Sequence, residues 1–244
     1  MAISKDFKII IVGIILGVSL LLSTALASLV FWNARSQGSL SVTGSARQSV
    51  VADNAKWTGS WTRRVTVANL KAGYASIAKD EALVTSFLQS KGISADEMSI
   101  GPVSMDEVYK YNDTSPSTER EYNLHQSVLV SSNDVEKITG LAKNTKALVD
   151  NGVIFSTGNP EYYYSKLADL RVSLLGNAIR DAEARADKIA SAGGKKLGNL
   201  VSAAGGVVQV LPAGSVEVSD YGSYDTGSIN KEVMITVKAG FELR

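Results

Sequence analysis

The chain has 244 residues, with 25 Lys+Arg against 24 Asp+Glu, one His and no Cys. That length buries a core without covalent staples, and the missing cysteines exclude a disulfide framework, thiolate catalysis and Cys-ligated metals. A single His excludes the common two-His and three-His zinc sites, and balanced charge argues against nucleic acid, whose affinity rests on Lys and Arg neutralising phosphates.

Residues 9–32, IIIVGIILGVSLLLSTALASLVFW, run for 24 positions without a charge. As a helix they span roughly 36 Å, against about 30 Å of bilayer hydrocarbon. No face of the segment is polar, unlike a soluble core helix. Phe31 and Trp32 stand at its distal end, where aromatic rings favour the interface. Lys5 and Lys8 precede it, offset in part by Asp6, and Arg35 follows it. This bias predicts a single-pass anchor with residues 1–8 cytoplasmic and residues 33–244 extracytoplasmic. The alternative is a secretory signal cleaved near Ala27, since Ala25-Leu26-Ala27 fits a small-x-small site, giving a secreted or periplasmic product. Either way residues 33–244, formally neutral once Lys5, Asp6 and Lys8 are set aside, cross the membrane.

Residues 33–38 read as a short polar tether, and residues 39–244 as the exported domain, with two subdomains divided near residue 132. Leu40–Val51 reads as a strand interrupted near Gly44. Trp57–Val67 alternates with period two: Trp57, Gly59, Trp61, Arg63, Val65 and Val67 share one face. Asn69–Lys91 turns to helical spacing, with Leu70, Tyr74, Ile77, Val84 and Leu88 as its stripe, Glu81 as a polar exception, Asn69 as N-cap and Gly92 at C′. Met98–Tyr111 reads as a strand broken at Gly101-Pro102. A polar loop, Asn112–Arg120, and a returning strand, Glu121–Ser131, complete a long hairpin, with Tyr122, Leu124, Val128 and Val130 on one face.

Asn133 and Glu136 resemble a capping box opening a helix. Its stripe is Val135, Ile138, Leu141, Ala142, Leu148 and Val149, and it ends at Asn151-Gly152. Val153–Tyr164 contains a strand. The longest helix after the anchor covers about Ser165–Ala192, with Leu167, Leu170, Leu174, Ala178, Ala182, Arg185 and Ile189 at 3–4 spacing and Gly193-Gly194 as its exit. Val207–Leu211 reads as a short strand and Ala213–Ser228 as a loop. Ile229–Leu243 closes the chain as a strand, with Val233, Ile235, Val237, Ala239, Phe241 and Leu243 on one face and Lys231, Thr236, Lys238 and Glu242 assigned to the other. The fold class expected is α+β: the N-terminal transmembrane helix, then antiparallel-rich sheet packed by about three helices.

Four segments stand out: Leu40-Ser41-Val42-Thr43-Gly44-Ser45-Ala46; Gly92-Ile93 with Asp96 and the strand from Met98 through Tyr109 and Tyr111; the helix Ala178–Ala190 with its exit through Gly194 to Leu197-Gly198; and the closing strand Val233–Leu243. Together, covering about Ser39 to Leu243 and in this order, they resemble the SIMPL domain family. One departure is visible: Ala52-Asp53 stands where the family often has Pro-Asp. The resemblance implies an α+β protein of the bacterial envelope. Some relatives are linked to oxidative-stress defence, others resemble ring-forming envelope proteins, and no shared catalytic residues carry over.

The chemistry-bearing residues point the same way. His125 sits beside Glu121, Asn123 and Ser127 on a polar strand face, where a solvated imidazole is expected rather than a catalytic one. Asp96-Glu97 and Asp106-Glu107 are adjacent pairs, whereas glycoside hydrolysis needs carboxyls opposed across a cleft. Asp220 and Asp225 offer oxygen ligands without EF-hand spacing. Asp181/Arg185 and Arg180/Glu183 are helix-surface pairs, and the Ala run at 178, 182, 184 and 186 serves either internal packing or assembly. Tyr162-Tyr163-Tyr164 alternates sides and makes no flat platform, and Trp57 and Trp61 belong in the core. Gly193-Gly194-Lys195-Lys196 follows a helix, so it is no phosphate loop.

The expectation is a non-enzymatic, membrane-anchored interaction or assembly module. It has no catalytic, cofactor or metal residues. Its partners are membrane lipid through residues 9–32 and further copies of itself, with no nucleic acid. The alternatives are a ligand-binding protein using aromatic faces and a carboxylate-based hydrolase.

Overall fold

The computed structural model describes residues 5–36, 38–108, 120–215 and 219–244. Tyr109, Tyr111 and the polar stretch from Asn112 to Glu119 lie outside the described residues. The first element, α1 (Lys5–Ser36), is a single helix. Its segment Gly13–Phe31 has mean hydropathy 2.4 and no buried residue. Leu20, Leu21 and Leu22 are each at least 60% exposed. Successive residues turn about 100°, so apolar side chains leave the helix in all directions. The stretch read as a tether is helical through Ser36, and β1 (Ser39–Val51) opens three residues later.

The remaining elements are β2 (Asn54–Thr66), α2 (Leu70–Ser90), β3 (Met98–Ile100), β4 (Ser104–Glu107), β5 (Glu121–Ser132), α3 (Val135–Lys143), α4 (Lys146–Asp150), β6 (Phe155–Thr157), β7 (Glu161–Tyr163), α5 (Leu167–Ala192), β8 (Leu197–Pro212), β9 (Ser223–Tyr224) and β10 (Asn230–Leu243). The α+β class is as expected, and the described residues form four helices after α1, where about three were expected. Two compact units share the chain. One comprises Met1–Ala46, Leu174–Gly206 and Ile235–Arg244; the other comprises Arg47–Ser173 and Val207–Met234.

The larger unit is built on a six-stranded sheet, ordered β3-β5-β2-β6, with β4 also on β5 and β7 on β2. Strands β2 and β5 pair antiparallel along their whole length, from Ala55 opposite Ser132 to Thr66 opposite Glu121. The period-two reading of β2 holds as far as Val65: Ala55, Trp57, Gly59, Trp61 and Val65 are buried, while Val67, assigned to the same face, lies in the turn after the strand and is 61% exposed. They meet Leu124, Val128 and Val130 of β5, Ile77, Val84 and Leu88 of α2, and Ile138 and Leu141 of α3 in one core. The break at Gly101-Pro102 separates β3 from β4, and both still pair with β5.

Helix α2 buries a different stripe from the expected one. Gly73, Ile77, Asp80, Val84 and Leu88 face inward, while Tyr74 is 42% exposed. Gly73 takes the inward place because a Cβ there would press on Val65 of β2 and lie 3.3 Å from Leu124. A 3₁₀ turn, Val67–Asn69, leads into α2, and the Asn69 side chain bonds back to the Thr66 amide at 2.7 Å. Gly92 (φ 77°) ends the helix as expected: its amide bonds Gln89 O, and the Ile93 amide bonds Leu88 O. This is a Schellman closure with Ile93 packed in the core beside Leu88. Gly152 and Gly194 close α4 and α5 by the same pair of bonds.

The helix expected over 133–151 splits at Asn144-Thr145 into α3 and α4, and Val149 falls outside the buried stripe at 56% exposure. Its cap is Asp134, which accepts from the Lys137 amide at 2.9 Å; Asn133 instead accepts from Asn54 at 3.0 Å. The strand expected in 153–164 is two short ones, parted by Gly158-Asn159-Pro160.

In the smaller unit β10 pairs with β1 on one side and β8 on the other; Leu243 N bonds Gly38 O just ahead of β1, and Lys196 and Arg244 pair by backbone just outside β8 and β10. Gly44 does not interrupt β1. It is buried, and a Cβ there would fall within 3 Å of Ala178 O and Ala182 N of α5. The buried stripe of α5 in this unit is Leu174, Ala178, Ala182, Ala186 and Ala190, at strict four-residue spacing. Arg185 and Ile189, expected on it, are outside, with Ile189 52% exposed. Small residues prevail because β1 approaches too closely for larger ones. Ala182 and Ala186 pack on Ala239 and Phe241 of β10 and on Leu40, Val42 and Leu197.

Strand β8 is sixteen residues long where five were expected. Its first half was missed because Asn199–Gly206 is exposed on both faces and therefore shows no alternation. In β10, Lys231 lies on the face of Val233, not opposite it, since odd positions share a side, and it is fully buried.

Candidate functional site

The carboxylates weighed as catalytic are held apart by structural tasks. Glu97, in the 3₁₀ turn before β3, accepts from the Ser132 hydroxyl, the Ser94 amide at 3.0 Å and Lys137 Nζ at 3.0 Å. These donors, the Ser132 hydroxyl first, lower its pKa to about 2, so it is a fixed anion and not a proton donor. Its neighbour Asp96 is exposed. On β4, Asp106 and Glu107 stand opposite Asn123 and Tyr122 of β5, with Glu107 3.8 Å from Arg120. Neither pair opposes its members across a cleft.

His125 on β5 is flanked in register by Thr62 and Ser104, and its carbonyl accepts from the Ser104 hydroxyl at 3.4 Å. Glu121, two positions along on that face, lies 3.5 Å from Arg64 Nε. The aromatic residues are also committed. Phe155 stacks with Trp57 (6.0 Å) and Trp61 (6.5 Å), and Trp57 Nε1 donates to Thr157 at 2.9 Å. Tyr162 is buried with its hydroxyl 2.9 Å from that of Thr139. Tyr163 donates to Glu161 at 2.6 Å, which with burial pushes its hydroxyl up to about 12.

Two ion pairs, each with one buried member, escaped the sequence reading. Arg63 Nε and Nη2 grip Asp80 at 2.5 and 2.6 Å, and Nη2 also reaches Gly152 O at 2.9 Å. Lys231 Nζ lies 2.5 Å from Asp225 O and 3.1 Å from Asp225 Oδ2. Asp225 also holds the Ser228 hydroxyl and the Gly227 amide, so its carboxylate is spent on the turn. The signal for both was a charged residue at an inward-facing position of an alternating strand. Asp181, on α5, pairs with Arg185 at 2.8 Å as expected and also takes the Ser45 amide of β1 at 2.8 Å. Arg180 donates to Asn177. Among the described residues no group of three His, Asp or Glu side chains is placed to hold a metal. Gly194 and Lys195 close α5, and the backbone of Lys196 pairs with that of Arg244.

What stands open is backbone. Strands pair in the order β1-β10-β8-β9, and β9 touches β8 only at Gln209 and Val210. Along residues 197–206 the described residues give β8 one neighbour, β10, and leave its far edge unpaired. Residues 199–206 are exposed throughout, with Leu200 at 46% and Val201 at 54%. No charged residue occurs between Lys196 and Glu217, and no proline before Pro212. Edge strands are ordinarily guarded by Lys, Pro or a bulge. This one lacks the charge and the proline over its open length.

The chain thus combines an N-terminal helix long and apolar enough to be a membrane anchor or a signal sequence with an α+β body. The chain belongs to the SIMPL family, described as a protein of unknown function (DUF541), whose model matches residues 40–240. No curated protein matches the chain.

Proposed function

We propose that this protein is a membrane-anchored, extracytoplasmic assembly module without catalytic activity, which joins to further copies of itself through the open edge of β8. α1 is the anchor, with its N-terminus in the cytoplasm. The observation that carries the reading is the edge itself: eight exposed residues in a row, uncharged, with unpaired backbone donors and acceptors. Of the Ala run of α5, the other surface considered for assembly, Ala178, Ala182 and Ala186 are buried and Ala184 is exposed. Confinement of α1 to a bilayer raises the effective concentration of the edges for one another. A role in envelope stress defence rests on the family resemblance alone.

The test is mass measurement by light scattering on the full chain in detergent, wild type against Val201→Lys. A lysine on an edge strand blocks strand addition while leaving an exposed position exposed. The expected result is an oligomer for the wild type and a monomer for the variant. A wild-type monomer at high concentration, or an oligomer unchanged by Val201→Lys, contradicts the reading.

A further inference from the structure

The smaller unit carries a shallow groove of about 570 Å³ between β1 and α5. Val42, Ala184 and Ile189 make it apolar, and Arg185 and Lys188 stand on its rim. Ile189 is half exposed although it is the largest apolar side chain on that helix face. Helix geometry sorts the charges. At about 100° per residue, Ala184, Arg185, Lys188 and Ile189 share one sector, while Glu183 and Asp187 point away from it. Asp181, the acid within the sector, is occupied by the Ser45 amide and Arg185, and these donors hold its carboxyl below the usual range. Lys188 is exposed and has no partner among the described residues. The groove thus joins an apolar floor to a net positive rim.

Its distance from α1 is limited by covalent geometry. Val42 is six residues beyond Ser36, the last residue of α1, and six residues reach no further than about 22 Å. If α1 lies in a bilayer, the groove cannot leave the neighbourhood of the headgroups.

We infer that this groove docks on the anionic phospholipid surface of the membrane that holds α1, with Ile189 entering the apolar layer and Arg185 and Lys188 meeting headgroup phosphates. Amphipathic surfaces with a cationic rim bind this way, apolar area and charge adding. The inference rests on the reading of α1 as an anchor. It differs from the assembly proposal in surface and in partner.

The chain has no native Cys, so Ile189→Cys and Asp187→Cys each carry one environment-sensitive fluorophore on the full-length protein. The protein is reconstituted in vesicles of phosphatidylcholine alone or with phosphatidylglycerol, with brominated acyl chains as quenchers. Quenching is expected at 189 and not at 187, and stronger with phosphatidylglycerol. Adding Lys188→Ala lowers the docked-to-undocked ratio about fivefold, the contribution of one cation at an anionic surface. Equal signals at 189 and 187, equal quenching in both lipids, or protection at 189 that follows protein concentration overturns the inference. Flotation of the same vesicles scores the anchor separately: flotation without quenching at 189 removes the docking and leaves the anchor standing.

Discussion

Lys231 reaches Asp225 from inside the core: its side chain is fully buried, and its ammonium lies 3.1 Å from Oδ2 and 2.5 Å from the backbone oxygen of the same residue. The pair fastens the segment after β9 to β10, and that segment is also held by the Tyr162 amide on Thr226 O and the Asp225 amide on Val210 O. Removing one member leaves the other charge buried without a counterion. Lys231→Met and Asp225→Asn are each expected to cost about 3–5 kcal/mol, and the double variant less than their sum. Urea unfolding of the three variants checks this.

The same pair sets a pH dependence. Burial pushes the Asp225 carboxyl up, but the Ser228 hydroxyl, Lys231 and the Gly227 amide outweigh it and hold it below its usual value. A depressed carboxylate stabilises the fold above its unfolded pKa and loses that contribution as pH falls through its folded pKa. Asp225→Asn is therefore expected to be most destabilising at neutral pH and progressively less so in acid, in unfolding curves at a series of pH values.

Glu97 offers a second acid-labile contact. Its pKa falls from 4.5 to about 2, chiefly through the Ser132 hydroxyl. Its stabilising effect is complete above the upper value and disappears as pH drops through the lower. Glu97→Gln should narrow the gap to wild type between those values, while Asp96→Asn, at an exposed neighbour, should not alter the profile.

Gly44 of β1 lies directly against the backbone of α5. A Cβ would lie 2.7 Å from Ala182 Cβ and nearer still to α5 backbone, which cannot swing away as a flexible side chain would. Gly44→Ala is expected to destabilise by about 1–3 kcal/mol through overpacking. Gly140→Ala, with nothing within 4 Å of the added carbon and a helical setting, is expected to be neutral or stabilising in the same thermal melts.

Much of the architecture was legible wherever one physical pattern dominated. Trp57 to Val65 alternates because one face of β2 is core. Gly92, Gly152 and Gly194 announce helix ends because each needs a positive φ. The failures have equally local causes. Tyr74 and Ile189 were assigned inward by hydrophobicity, yet close packing chose Gly73 and Ala190. Lys231 was assigned outward by charge, yet strand parity placed it inside. Ala52, where the family often has Pro, uses the amide a proline lacks to bond Ile229 O at 2.9 Å, and the following Asp53 holds Ser165. The open half of β8 was illegible because a strand bare on both faces carries no alternation, and its meaning came only from the pairing order.

The assembly proposal is tested most directly by cysteine scanning of β8 in intact membranes. Residues 199–206 are replaced one at a time by Cys in the full chain, which has none of its own, with Asp187→Cys as an off-edge control. Antiparallel strands bring facing Cα atoms to about 4.5–5.5 Å, within disulfide reach. The account predicts oxidative dimers confined to the scanned strand, peaking at one position and falling away on both sides. No dimer at any β8 position, or dimers as abundant at 187 as on the strand, would contradict it.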